Sequence, residues 1–363
     1  MGHRLLWLDA IRVVAAQLIV LHHLSIYGPL GRSLHAAVPD LIDWLEDYGR
    51  VAVQVFLVIG GLLCAQSAAR VVQPDARTLA VALGRRFLRL FVPLYAALAL
   101  VLIAAIPGRE WLGAGWVPQW PDLRVLGAHL AGLQDYLGIE ALSAGTWYVT
   151  IDFQLHAVVL GLLWLVARIA PSPAAQAPIL QGLVFALAAA SLFWINRNPD
   201  WDVQPLYFFG SFALGFAAGW LGSTTASSGT RIAGLAIFVL AMVALVLDWR
   251  LRIAVALVCA LVIVAGLRGA GLRIDARLCS AGPVGSLARQ LIVRLADISY
   301  PLFLAHFSLC ILANAGFVRW TDQGLGAAAG LFVAAWLGSV PLAIALRALV
   351  EKPLARRMRR DDH

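Results

Sequence analysis

The sequence predicts an all-α integral membrane protein with about ten transmembrane helices and both termini in the cytoplasm. Three observations carry this. Of 363 residues, 61% are hydrophobic and only 13% charged, against ~45–50% and ~25% in soluble domains. Mean hydropathy is +0.82, and apolar runs long enough to span a bilayer recur from end to end instead of collecting in one segment. The 28 Lys+Arg outnumber the 20 Asp+Glu and are spread unevenly among the connections, which sets an orientation. These features exclude a soluble enzyme, a disordered regulator and a disulfide-stapled secreted module.

The apolar runs place spans at 6–27, 51–69, 87–107, 147–169, 178–195, 205–222, 231–247, 252–268, 298–318 and 325–349. Helix is the element type, because a barrel would show ~10-residue alternating strands instead. The first run is broken by Asp9 and Arg12 and lacks a small-residue cleavage site, so it reads as a retained span, not a signal peptide. No composition shift, low-complexity tract or repeat divides the chain. The expectation is one integral domain over 1–363, with no soluble appendage. Cys64, Cys259, Cys279 and Cys310 are scattered without ligand spacing and indicate neither disulfide nor metal.

With the N-terminus inside, nineteen basic residues fall in cytoplasmic connections and span ends: Arg4, five in 70–89, Arg168, Arg231, five in 268–294 and six in 347–360. Eight fall outside, at Arg32, Arg50, Arg109, Arg124, Arg197, Arg250, Arg252 and Arg319. Basic connections stay in the cytoplasm, so the surplus speaks for topology and a bilayer partner, not for nucleic acid. The long outside connections, 28–50 and 108–146, lean acidic, and the second carries Trp111, Trp116 and Trp120, which suit the membrane–water interface.

Ionisable side chains inside a span cost ~2.5–3.5 kcal/mol each and mark function by default. The first span carries Asp9, Arg12, His22 and His23. Arg12 and His23 are almost three whole turns apart, hence on one face and ~16 Å apart along the axis; His22 points ~100° away. Span-end Arg and His also snorkel or bond carbonyls, which is the structural reading. Arg86 and Arg89 are neighbours on the third span's leading face. Two forked guanidiniums there form a phosphate clamp or a plain topological anchor. In the fourth span, Asp152 lies at roughly the depth of His23, with His156 one turn further on. A carboxylate there fixes an imidazole's tautomer for general-base work, or else pairs with His156 to hold helices together. His306, in the ninth span, reads equally as a helix–helix contact or cavity lining.

In order along the chain, these segments resemble the membrane-bound acyltransferase type 3 family, mostly bacterial O-acetyltransferases of surface glycans. Leu8-Asp9-Ala10-Ile11-Arg12 with His23 is similar to the family's opening span. Val55 through Leu62 is similar to its second-span phenylalanine–glycine segment, and Arg86-Phe87-Leu88-Arg89 to its paired arginines. Trp147 through Gln154 resembles its tryptophan-to-glutamine segment. Ile298-Ser299-Tyr300 through His306, and the Glu351-Lys352-Pro353 ending, fit its last two spans. The chain departs from the pattern at Asp152-Phe153, where two acidic residues are common, at Gly60, where a small polar residue is usual, and at Tyr148, a frequent serine.

The resemblance implies a multi-pass enzyme of the bacterial inner membrane. It would transfer an acyl group, usually acetyl, from cytoplasmic acyl-CoA to a sugar hydroxyl of a surface or exopolysaccharide glycan, with no bound cofactor. Arg86 and Arg89 would hold the CoA phosphates and Arg12 would line the passage. His23 would be the base and Asp152 its orienting carboxylate, with Asp9, His22, Trp147, Gln154, His156 and His306 lining the cavity. A transporter or export component would use the same intramembrane residues without chemistry, although paired halves with broken spans are not evident. A catalytically silent relative acting in assembly is the third reading. The residue pattern sets neither the acyl chain nor the oligomeric state.

Overall fold

The structure is a computed structural model that describes residues 4–68, 75–113, 115–280 and 282–360. Residues 69–74, including Arg70 and the end of the second expected span, and the side chain of Cys279 lie outside the described residues. Helix makes up 85% of the structure, and no strand occurs among the described residues.

The helices are α1 (Leu6–Ile26), α2 (Pro29–His35), α3 (Pro39–Tyr48), α4 (Val53–Ala68), α5 (Ala76–Leu112), α6 (Leu123–Ala131), α7 (Thr146–Ile169), α8 (Pro173–Phe193), α9 (Pro205–Gly222), α10 (Ser228–Leu247), α11 (Leu251–Ala265), α12 (Gly271–Ser280), α13 (Gly282–Asp297), α14 (Ser299–Trp320), α15 (Leu325–Leu346) and α16 (Lys352–Arg360). Ten segments among the described residues are long and apolar enough to cross a membrane, and each coincides with one of the ten expected spans. The protein is therefore a multi-pass membrane protein. Two differences matter for the site. α5 starts eleven residues before its expected span, so Arg85, Arg86 and Arg89 sit inside a continuous 37-residue helix. The connections 28–50, 108–146 and 268–294 are not plain loops but hold α2, α3, α6, α12 and α13.

The helices cluster into two compact units whose segments alternate along the chain. The first comprises Met1–Arg12, Val53–Gly84 and Ile151–Val293, and α9 is its axis. Tyr207 through Ala218 are all buried, as expected of a helix that is apolar on every side, and α4, α8, α10 and α11 surround it. Glycine permits the closest of these contacts. A Cβ on Gly61 of α4 would stand 1.9 Å from the Phe212 carbonyl oxygen, and one on Gly215 of α9 would stand 2.0 Å from that of Val58. The backbones touch where each helix lacks a side chain, the close approach that small residues allow between membrane helices.

The second unit comprises Val13–Ala52, Arg85–Thr150 and Arg294–His363, and hydrogen-bonding side chains cross between its helices. Asn314 of α14 donates to the Tyr27 carbonyl at 2.8 Å and accepts the Leu30 amide at 2.9 Å. It thereby fixes the turn between α1 and α2. Gly28 in that turn has φ +100°, and a Cβ there would overlap the Asn314 amide at 2.3 Å, so only glycine serves. Trp336 of α15 donates to Gln17 of α1 at 2.7 Å, and Tyr300 to the Leu90 carbonyl at 2.6 Å. Asp122 caps α6 by accepting the Val125 amide, and Gly132 ends it in the left-handed region.

Candidate active site

Each unit carries part of the ionisable set that the sequence singled out. In the first unit, Asp275 of α12 accepts the Leu6 and Trp7 amides at 3.1 and 3.0 Å, satisfying two of the orphan donors at the start of α1. One turn on, the buried Asp9 carboxylate is shared by Arg4 and by Arg12, whose Nη1 lies 3.4 Å away. Arg12 is thus an ion-paired guanidinium on its own helix. Also in this unit, His156 Nδ1 donates to the Asp152 backbone carbonyl at 2.9 Å and lies 3.7 Å from the Asp152 carboxylate. Phe212 packs edge-on to the His156 ring. Gln154 follows two residues after Asp152 on α7 and is half-buried.

The second unit brings the histidines together. His22 and His23 diverge from α1 as the helical period dictates. His22 Nδ1 meets the Leu45 carbonyl of α3 at 2.9 Å, and a Cβ on Gly49 would collide with the His22 side chain, so His22 serves helix packing. His23 turns to α14, where its Nδ1 lies 2.7 Å from His306 Nε2 with the rings stacked nearly parallel. Both rings are buried.

Elementary hydrogen-bond logic assigns the protons of this pair. His306 Nδ1 faces the Leu302 carbonyl at 3.1 Å, and a carbonyl only accepts, so that nitrogen carries the proton. His306 Nε2 then holds a lone pair and accepts from His23 Nδ1. The lone pair of the His23 ring is left on Nε2. The arrangement therefore fixes His23 in the tautomer that a general base needs. Aromatic rings frame it: Tyr27 lies edge-on to His23, Phe303 is beside His306, and Tyr148 meets Phe303 edge-on. Trp147 meets its neighbour Tyr148 edge-on. Cys310 points its thiol at the His23 and Tyr27 carbonyls.

Arg89 belongs to a separate feature of this unit, a cavity of 540 Å³ that it lines with Asp297, Arg347, Glu351 and residues of α16. Arg347 donates to Asp297 at 2.7 Å. Arg86 lies one turn before Arg89 on α5 and is half-buried. Among the described residues no group of three or more His, Cys, Asp or Glu side chains is arranged to hold a metal ion.

The family model described as an acyltransferase domain matches residues 5–348. The chain belongs to the acyltransferase type 3 family. It is a membrane acyltransferase. No curated protein and no solved structure matches it significantly. The matched stretch contains His23, His306, Arg12, Arg86, Arg89 and Asp152 and ends just before Glu351 and α16. Two features of this acyltransferase escaped sequence reasoning. His306 makes the helix–helix contact that was one of its two readings, but the partner, His23, was missed, since no spacing rule links residues 283 positions apart. The basic residues of 347–360 count in the sequence only towards topology, whereas Arg347, Lys352, Arg356 and Arg359 line a cavity together with Arg89. The helical spacing of Lys352, Arg356 and Arg359 was the available signal.

Proposed function

We propose that this acyltransferase moves an acyl group, most simply acetyl, from acyl-CoA on the cytoplasmic side to a sugar hydroxyl of a cell-surface or exopolysaccharide glycan. It would work in a bacterial inner membrane with both termini in the cytoplasm. The observation that carries the reading is the chain from Leu302 through His306 to His23, which leaves His23 Nε2 as a buried lone pair with its tautomer set. In the proposed step, His23 Nε2 takes the proton of the acceptor hydroxyl as its oxygen attacks the thioester carbonyl. The carbon–sulfur bond breaks, the departing thiolate recovers that proton from His23, and CoA leaves as the thiol. His306 positions the base and, through its own Nε2, stabilises the imidazolium while it lasts. Arg86 and Arg89 supply forked donors for the donor's phosphates, and Arg12 lines the donor's passage.

The test uses membranes with wild-type protein or His23→Ala at matched levels, supplied with labelled acetyl-CoA and a native glycan extract. Label transfer and CoA release that depend on glycan and vanish with His23 are the expected result. Transfer at the wild-type rate in His23→Ala membranes overturns the assignment of the base. Absence of CoA release in both, with glycan crossing vesicle membranes, overturns the enzymatic reading in favour of transport.

A further inference from the structure

The 540 Å³ cavity that includes Arg89 has a strongly charged lining. Five of its side chains are basic (Arg89, Arg347, Lys352, Arg356 and Arg359) and two are acidic (Asp297 and Glu351). Its volume lies within the ~300–1,000 Å³ of small-molecule sites. The basic side chains are also ordered. Asp297 engages one end of the Arg347 guanidinium at 2.7 Å, which fixes the group while leaving most of its five donors for something else. On α16, Lys352, Arg356 and Arg359 stand at the i, i+4, i+7 positions of one helical face, and that face lines the cavity. Arg357 and Arg360 do not line the cavity. Leu354, Ala355 and Met358 add an apolar wall.

We propose that this cavity binds the phosphorylated nucleotide end of acyl-CoA, and that the Lys352–Arg356–Arg359 face of α16 supplies the contacts that recognise its phosphates. The inference rests on the acyl-CoA reading above and extends the donor site to a helix beyond the family-matched residues. Forked guanidiniums suit phosphate oxygens in pairs, and the apolar wall suits the flat face of a purine. The reach is also appropriate. Asp297 ends α13 two residues before α14 starts at Ser299, and His306 lies seven residues inside α14, about 10 Å along its axis. A donor anchored here by its phosphates would send its thioester arm along α14 toward the histidine pair. Phospholipid headgroups share the phosphate chemistry, so the experiment must separate the two sources.

Binding of CoA and of 3′-dephospho-CoA would be measured calorimetrically on the full chain in nanodiscs of phosphatidylcholine and in others containing phosphatidylglycerol. The proteins are wild type, Arg356→Gln/Arg359→Gln and Arg357→Gln/Arg360→Gln. The two double variants remove the same charge from the same helix and differ in whether the residues line the cavity. Wild type should prefer CoA, and the 356/359 variant should bind CoA about tenfold or more weakly and lose the preference. The 357/360 variant should keep both, in either lipid. Equal losses in the two variants overturn the proposal in favour of a general charge effect. A preference that disappears in phosphatidylglycerol discs overturns it in favour of a lipid headgroup. CoA binding by wild type that neither variant weakens overturns the role of α16 and leaves the donor reading standing. No CoA binding by wild type in either lipid overturns the donor reading itself.

Discussion

The two units contain cavities of the same size, 540 Å³ each, with opposite linings. The first unit's cavity is walled by residues such as Leu163, Phe216, Trp220, Gln181 and Thr230, and none of its lining residues is ionisable. In the second unit's cavity seven of the ten lining residues are charged. The same contrast runs through the packing. The first unit's central pair, α4 and α9, meets backbone to backbone at Gly61 and Gly215, with the Ser211–Gln54 hydrogen bond as its polar contact. Most of its other polar contacts lie at helix ends, for example Asn196 with Arg250. The second unit joins its helices by buried or partly buried side-chain hydrogen bonds in or beside the spans: His23–His306, Asn314–Tyr27 and Trp336–Gln17. Glycine contacts make a close, shape-determined scaffold. Polar contacts fix orientation, which proton transfer requires. Close glycine contacts mark the first unit and polar side-chain contacts the second, and α1 contributes segments to both.

The comparison breaks most severely at Gly215. Gly215→Val puts a branched side chain against the Val58 carbonyl, which cannot move aside, and should cost at least about 3 kcal/mol. The readout is loss of folded protein in detergent melting curves. If Gly215→Val melts like wild type, the glycine contact does not hold the first unit. In the second unit the largest effect should fall on rate. His306→Ala should lower acyl transfer by about 100-fold or more at unchanged membrane level, and His306→Gln, which keeps an acceptor, should lose less. Asp152→Asn measured alongside tells whether the carboxylate or His306 sets the orientation of His23. The structure predicts the larger loss at His306. Asn314→Leu leaves the Leu30 amide and Tyr27 carbonyl without their partner and should destabilise by about 2 kcal/mol, seen as a lower melting temperature with transfer per folded molecule also reduced. Gln17→Leu strands only the Trp336 indole N–H and should cost about 1 kcal/mol. A neutral outcome there would show that the polar links of α15 are incidental.

The ten spans were legible because each is a long apolar run, and such a run has one solution in a bilayer. The short helices were harder to see. α3 alternates Ile42 and Leu45 on a buried face with Trp44 and Tyr48 on an exposed one, a pattern too brief to compete with its acidic residues. α6 announced itself by Asp122 and Gly132, capping signals that a search for apolar length passes over. In the site, His23, Arg89 and Arg12 stood out as charges in apolar surroundings, and this physical signal is local. Pairing is not local. Depth along the spans pointed from His23 to Asp152, but helix register and packing, which bring His306 to within 2.7 Å of His23, leave no mark in the spacing of either segment. The ion pair of Arg12 with Asp9, three residues earlier, is local too, and the i, i+3 spacing carried its signal.

The double cap that Asp275 places on Leu6 and Trp7 has a consequence for the order of assembly. α1 leaves the ribosome before the other described helices, yet the carboxylate that completes its N-terminus is made some 270 residues later. The His306 and Asn314 contacts near its other end come later still. Throughout synthesis the first helix must therefore persist in the bilayer with its ends unfinished, and it reaches its final form only when the last third of the chain arrives. Biogenesis is a closing of the circle: α1 is completed at both ends by much later helices, so a nascent chain halted before α12 holds every group of α1 but lacks its Asp275, His306 and Asn314 contacts.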